Sequence, residues 1–392
     1  MIHILIQRTF RVCALASFIT VASAEPWADY SGSDGRPGNG KHIVLVSGDE
    51  EYRSEEALSQ LAKILSERHG FKCTVLFAVD QQSGIINPHV RDNIPGLQML
   101  NTADLMIIFT RWRILPTTQM QYIEDYLKEG RPVIGMRTST HAFAPPDNIH
   151  SKLRTWKKNN EQKENAGANT KPRWLKESDW GPLGYFADGY IGEKTAWTGG
   201  FGRVVLGEKW IAHHGVHQHE STRGLIAPGA EQHPVVRGIS NGDVWGPTNV
   251  YRVRLPLPGD SKAILLGQVM QRTGVFNEHD RLLGMRANDS RPVTVKNNPV
   301  MPVAWTKSYQ IENGKPGQVF MTTMGASTDL LATGTRRMIV NGVYWSLGME
   351  EEIPEQGTAV DLVGVFEPGK IKYHPNEYWL QKQLVPSSFN LE

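Results

Sequence analysis

The sequence predicts an α/β fold, a doubly wound and mostly parallel sheet with helices on both faces. Three observations predict it. Short, unbroken apolar runs recur at residues 42–46, 71–78, 104–110 and 132–136, and continuous apolarity marks strands covered on both faces. Stretches with apolar residues at helical spacing lie between them, the alternation expected of βαβ units. Finally, three of the runs stop abruptly in polar, charged clusters, as strands do where they open on a ligand crevice at their carboxyl ends.

The elements follow in order. Arg8 and Arg11 precede an apolar run, 12–21, that closes in Ala22-Ser23-Ala24. That is the pattern of a secretory signal peptide, so cleavage near Ala24 and a periplasmic or secreted location are expected. Neither this run nor any later one reaches the roughly 18 apolar residues of a spanning helix, so no transmembrane segment is expected. Loss of Arg8 and Arg11 takes the 42 basic side chains to 40, matching the 40 acidic ones. A neutral chain with no arginine-rich face or aromatic stacking motif gives no reason to expect nucleic acid. Cys13 leaves with the leader, and Cys73, the one thiol remaining, sits in an apolar run as a small hydrophobe with no disulfide partner.

Residues 25–40, rich in Gly, Ser and Asp, read as a flexible linker. Strand 42–46 then runs into Ser47-Gly48-Asp49-Glu50-Glu51-Tyr52-Arg53, after which Ser54 caps a helix carrying Glu55 and Glu56 at its positive end and Leu58, Leu61, Ala62 and Leu65 on one face. Gly70 stops it, and 71–78 is the next strand. Strand 104–110 ends in Arg111-Trp112-Arg113; helix 117–129 places Met120, Ile123 and Leu127 on one side; strand 132–136 delivers Arg137-Thr138-Ser139-Thr140-His141. Residues 144–183, rich in Lys, Asn and Glu without an apolar period, read as a solvated insertion or a lid. Short strands are expected at 250–255, 263–270, 301–305 and 318–323, a helix at 330–347, and an extended surface tail over 349–392.

In a parallel sheet the three polar strand ends open on one edge. That topology gathers Glu50, Glu51, Arg53, Arg111, Trp112, Arg113 and Arg137 as a substrate-binding set suited to a polyhydroxylated ligand, with Trp112 as a flat platform for a sugar ring. An internal network of ion pairs among the same carboxylates and guanidiniums is the plainer reading. Ser139 and His141 are candidate catalytic residues at a turn shaped like a nucleophile elbow, although Ser139 equally suits a helix cap. His217 is a third. In the run His213-His214-Gly215-Val216-His217-Gln218-His219-Glu220, an extended backbone would project His213, His217 and His219 from one face. Three such imidazoles suit zinc or another divalent ion with a position left for water; hydrogen bonding of one or two of them to substrate hydroxyls serves as well.

These stretches together resemble the ThuA-like (trehalose utilisation) family, a branch of the class I glutamine amidotransferase-like superfamily. The matching pieces are VSGDEEYRSEEAL, the elbow GMRTSTHAF, HPVVRGI at 233–239 followed by DVWGPTNVYRV, and the closing GQVFMTTMGA and RRMIVNGVYWSLG. The resemblance covers residues 41–348, with 144–183 inserted, and implies a flavodoxin-like fold with β-rich additions. Relatives that are amidotransferases place a cysteine at the elbow; Arg137 stands there, so glutaminase chemistry is not implied. The resemblance implies a protein of carbohydrate metabolism that binds and transforms a sugar or modified (keto) disaccharide; the export that the leader implies suits extracellular glycans and departs from a cytoplasmic trehalose pathway. It would be either a hydrolase- or lyase-like enzyme, with or without a metal, or a non-catalytic sugar-binding or accessory module. A homo-oligomer is left open.

Overall fold

In the computed structural model, which describes residues 25–160, 172–181 and 183–390, the unbroken apolar runs become the middle of one large sheet. The expected signal peptide lies outside the described residues. The strands are β1 (Trp27–Tyr30), β2 (His42–Gly48), β3 (Lys72–Leu76), β4 (Leu105–Thr110), β5 (Val133–Met136), β6 (Ala212–His213), β7 (Glu220–Ile226), β8 (Trp245–Gly246), β9 (Tyr251–Arg252), β10 (Lys262–Gln271), β11 (Arg291–Pro292), β12 (Met301–Tyr309) and β13 (Gly317–Thr322). Their order is β1-β3-β2-β4-β5-β13-β12-β10-β7-β8, with β11 beside β10 and β6 pairing β9 separately. Strands β3, β2, β4, β5 and β13 run parallel, while β12, β10, β7 and β8 continue the sheet antiparallel. Every residue of β2 and β4 is buried, as strands between two helical layers must be.

The helices are α1 (Ser54–His69), α2 (Thr117–Lys128), α3 (Asp147–Asn160), α4 (Gly200–Val204), α5 (Thr333–Ser346) and α6 (Asn376–Lys382). Helix α1 buries Leu58, Leu61, Ala62 and Leu65 and closes on Gly70, whose left-handed φ of 80° lets Gly70 and Phe71 donate back to Ser66 and Leu65. Helix α5 starts three residues later than its apolar spacing suggests, because Ser327–Leu331 forms a separate 3₁₀ turn. No described helix is long and apolar enough to cross a membrane.

Four expectations are corrected. Within the supposed linker, Trp27–Tyr30 is an edge strand antiparallel to β3; Ala28 and Tyr30 face the core, and four residues are too few to display period two. The insertion carries a helix, α3, whose Ile149 and Leu153 are buried one turn apart, and residues 161–171 lie outside the described ones. The tail is no loose surface strand, since it buries Ile353, Val360, Ile371 and Trp379 and contains α6. Of the strand expected at 250–255, only Tyr251–Arg252 pairs.

This order positions the site. The chain lays β3 on one side of β2 and β4 on the other, so the carboxyl ends of β2 and β4 flank the topological switch point, where ligands of doubly wound sheets bind.

Candidate functional site

Residues following β2, β4 and β5 meet at that edge. Asp49 ties the first loop to the third, its Oδ2 accepting from Thr138 Oγ1 at 2.6 Å while Oδ1 accepts from the amides of Glu51 and Tyr52. The second joins the third through Trp112 N to His141 O (2.9 Å) and Arg113 N to Ala142 O (2.7 Å). Arg53, Trp112 and Arg137, one from each loop, hold left-handed φ of 60°, 48° and 44°, a strained conformation for such side chains that the surrounding contacts must enforce. Helix α4 covers the elbow closely. A Cβ on Gly202 would stand 2.0 Å from Thr140 O, so only glycine allows that approach.

The enclosed space is a cavity of about 110 Å³. Glu51 and Arg111 supply its charges; Trp112, Trp210 and Tyr251 supply aromatic faces; Tyr52, His141 and His213 complete it. Glu51 is held by two partners, Arg111 Nη1 at 2.9 Å and His217 Nε2 at 3.0 Å. Burial pushes its pKa up, but the hydrogen bond from His217 and the Arg111 charge outweigh that and leave it below the usual carboxylate range. Arg111 also stacks on Trp112, 4.4 Å from the ring centre. Burial among the cations Arg111, Lys209 and Arg137 holds His141 well below its ordinary pKa. Burial, with Arg137 nearby, takes His213 down to about 4. His213 itself stays exposed to solvent. Both rings are neutral near pH 7, with one nitrogen to accept and one to donate, and His141 Nδ1 already meets Thr140 Oγ1 at 3.0 Å.

The rest of the substrate-binding set is structural. Glu50 pairs with Arg111 and Arg113 at 3.2 and 3.1 Å, yet burial outweighs those charges and raises its pKa, while burial pulls Arg113 down to about 10. Both directions say that desolvation opposes this pair, as is usual for buried ions. Arg113 adds hydrogen bonds to Pro88, Val90 and Arg111 carbonyls. Arg53 points to the tail, bonding Glu55, Glu56 and the Tyr378 hydroxyl. Arg137 is wholly buried between the rings of Tyr52 (4.4 Å) and Tyr251 (4.0 Å), donating to Asn249 O, Thr323 O and Asn249 Oδ1 at 2.9, 2.7 and 3.1 Å.

Ser139 is fully buried, its hydroxyl 2.5 Å from Ile108 O and 2.7 Å from Met136 O as a donor and accepting from Met136 N at 3.3 Å, the last being the capping role. The histidine run does not stay extended. After β6 the chain turns, Gln218 adopting φ 63°, so the alternation that would align three imidazoles is broken. His213 and His217 face each other with centroids 5.3 Å apart, but His219 stacks on Phe276 and meets Arg272. Among the described residues no group of three or more His, Cys, Asp or Glu is placed to hold a metal ion. At His217, Nε2 faces the Glu51 carboxylate and Nδ1 lies 3.3 Å from Asn249 Oδ1. The Asn249 amide is oriented, its Nδ2 donating to Gly215 and Val250 carbonyls, so both ring nitrogens of His217 are already engaged within the protein. The residues present therefore do not fit a three-histidine zinc site as arranged, and no step is derived through one.

Sequence reasoning missed Tyr52, Trp210, Asn249 and Tyr251. Tyr52 adjoins Glu51, and Asn249 and Tyr251 stand inside TNVYRV; those neighbours were the available signal. A wider, open groove of about 770 Å³ lies along the outer side of α3, lined by Lys152, Trp156, Trp174 and Lys176 among others. None of the strand-end residues reaches it.

No family model matches the chain, and no curated protein matches it. Among solved structures, the crystal structure of a protein described as thua-like, from Parabacteroides merdae ATCC 43184, is similar over 78% of this chain and 89% of that one, with 15% identity and a TM-score of 0.38. A likeness at that level transfers no residue roles, and the fold assignment rests on the strand order itself.

Proposed function

We propose that the chain is an exported ThuA-like protein of carbohydrate metabolism that binds a sugar or modified sugar at the carboxyl edge of β2 and β4, with Glu51, His213 and His141 meeting its hydroxyls. One observation carries the reading. A small cavity walled by Trp112, Trp210 and Tyr251 also presents one ionised carboxylate, one guanidinium and two neutral imidazoles. Aromatic faces suit the apolar side of a pyranose, and mixed donors and acceptors suit its hydroxyls. At about 110 Å³ against the roughly 300–1,000 Å³ of ordinary ligand pockets, the cavity takes one ring or part of one. The remainder of a disaccharide lies over the rim. Catalysis, where present, is acid/base work by the Glu51–His217 pair with no covalent nucleophile, because Ser139 is engaged in capping. A non-catalytic sugar-binding module is the alternative, favoured by the low pKa of Glu51, which makes it a weak base.

Thermal unfolding with glucose, trehalose and a keto derivative of trehalose tests this. The expected result is a rise in Tm with at least one of them that disappears in Glu51→Gln and Trp210→Ala; no rise with any, or an equal rise in both variants, overturns the site. Product analysis of the sugar that binds separates enzyme from module. Metal analysis of the purified protein, repeated after His213→Ala and His217→Ala, shows whether a divalent ion belongs there.

A further inference from the structure

Between α5 and the C-terminus the chain does something the site reading does not require. Residues 367–374 cross the mouth of the sheet edge and touch four loops in succession. Gly369 N donates to Glu56 Oε2 at 2.8 Å, at the start of α1. Lys370 Nζ donates to Glu278 O at 2.5 Å, in the loop after β10. His374 O is 2.7 Å from His89 Nε2, and Tyr373 OH is 3.3 Å from His89 Nδ1. Between these lie the two contacts that matter most. Lys372 N donates to Glu51 O at 3.2 Å, and Gln218 Nε2 donates to Ile371 O at 3.4 Å.

Glu51 and His217 come from loops 166 positions apart in sequence, and their 3.0 Å contact depends on both loops being held. One peptide of the tail grips one loop through its N–H side and the other through its carbonyl side. We infer that residues Ile371 and Lys372 form a clamp that positions the Glu51–His217 pair, with Gln218 as the positioning residue on the histidine side. The clamp is itself anchored. Ile371 and Trp379 are buried to 2% and 0% exposure, and the Arg53 guanidinium lies 4.8 Å from the Trp379 ring and donates to Tyr378 OH at 2.9 Å. A buried anchor of that size makes the tail a fixed reference rather than a fraying end. The left-handed φ of Gln218 explains how the amide reaches Ile371: residue 218 turns out of line immediately after His217, sending its side chain to the tail.

The inference rests on the candidate site for its meaning, but its test needs no sugar, so the two fail separately. Amide hydrogen exchange is measured on the full chain for the native protein, for Gln218→Gly, which tolerates the φ of 63° and removes the side-chain amide together with its methylenes, and for Lys372→Pro, which removes the N–H to Glu51. Loss of one such hydrogen bond raises local opening by about fivefold. The expected result is faster exchange at Glu51 and Tyr52 in Gln218→Gly, and at His219 and Glu220 in Lys372→Pro, the loop opposite to each change, with β2 and β4 unaltered. The ring resonances of His217, assigned through His217→Gln, shift in both variants. Acceleration confined to the mutated segment, or spread evenly over the whole chain, overturns the clamp, as does an unmoved His217 signal.

Discussion

Arg137 occupies the position from which an elbow would present a reactive side chain, yet it points inward. Its guanidinium is sandwiched by Tyr52 and Tyr251, satisfies three oxygen acceptors on two separate strand ends, and has no exposed surface. Its replacement leaves buried carbonyls unpaired and opens a void between two rings, so Arg137→Ala should lose about 3–5 kcal/mol of stability. The check is urea denaturation of the unliganded protein; a loss below about 1 kcal/mol would instead suit a residue kept for ligand. The polar character of residues 137–141 was visible in the sequence. Which of them faced a cavity was not, because a 3₁₀ turn of five buried residues distributes its side chains by partners that come from 31 positions away, as Ile108 does for Ser139, to 186, as Thr323 does for Arg137.

At the scale of elements, His69 joins three of them. It ends α1, its Nδ1 sits 2.9 Å from Tyr344 OH on α5, and its Nε2 sits 2.8 Å from Ala359 O in the tail. A carbonyl only accepts, so Nε2 carries the proton and Nδ1 accepts from the phenol, which makes the neutral ring fully satisfied. Burial takes its pKa down to about 4, well below the ordinary histidine value. The unfolded chain therefore takes up this proton first, and stability is constant above about pH 6.5 and falls as pH drops towards 4, by about 3 kcal/mol over that window. His69→Gln should have a visibly shallower decline of Tm between pH 6.5 and 4 than the native protein; parallel curves would exclude His69 as a source. Helix α1 itself was legible from Glu55, Glu56 and Gly70, which act locally, but Ser54 does not cap it: Arg53 is the N-cap without a side-chain hydrogen bond, and the Ser54 hydroxyl accepts from Asp49 N at 2.9 Å and meets Ser47 Oγ instead. The helix in the insertion was not legible, because only Ile149 and Leu153 of its visible face are apolar and buried.

For the whole molecule, the tail decides more than its composition suggests. Trp379 is among the largest fully buried side chains, stacked edge-on against Tyr378 and beneath Arg53. Trp379→Ala should cost about 3–5 kcal/mol, read as a lower urea midpoint, whereas a shift equivalent to less than about 0.5 kcal/mol would mean the tail only rests on the surface. The sequence by itself determined the parallel α/β core, the common edge on which residues near 50, 111 and 137 open, and so the meeting of Glu51 with Arg111 there, because unbroken apolar strands alternating with helices of apolar spacing encode a doubly covered parallel sheet. Only the tertiary structure decided that Glu50, Arg53, Arg113 and Arg137 turn into the protein, that His213 and His217 part from His219, and that Trp210 and Tyr251 complete the cavity while the tail packs beside its loops. The reason is physical: direction along a strand is encoded locally, but the direction a side chain takes at a loop is set by packing partners that the chain supplies from far away.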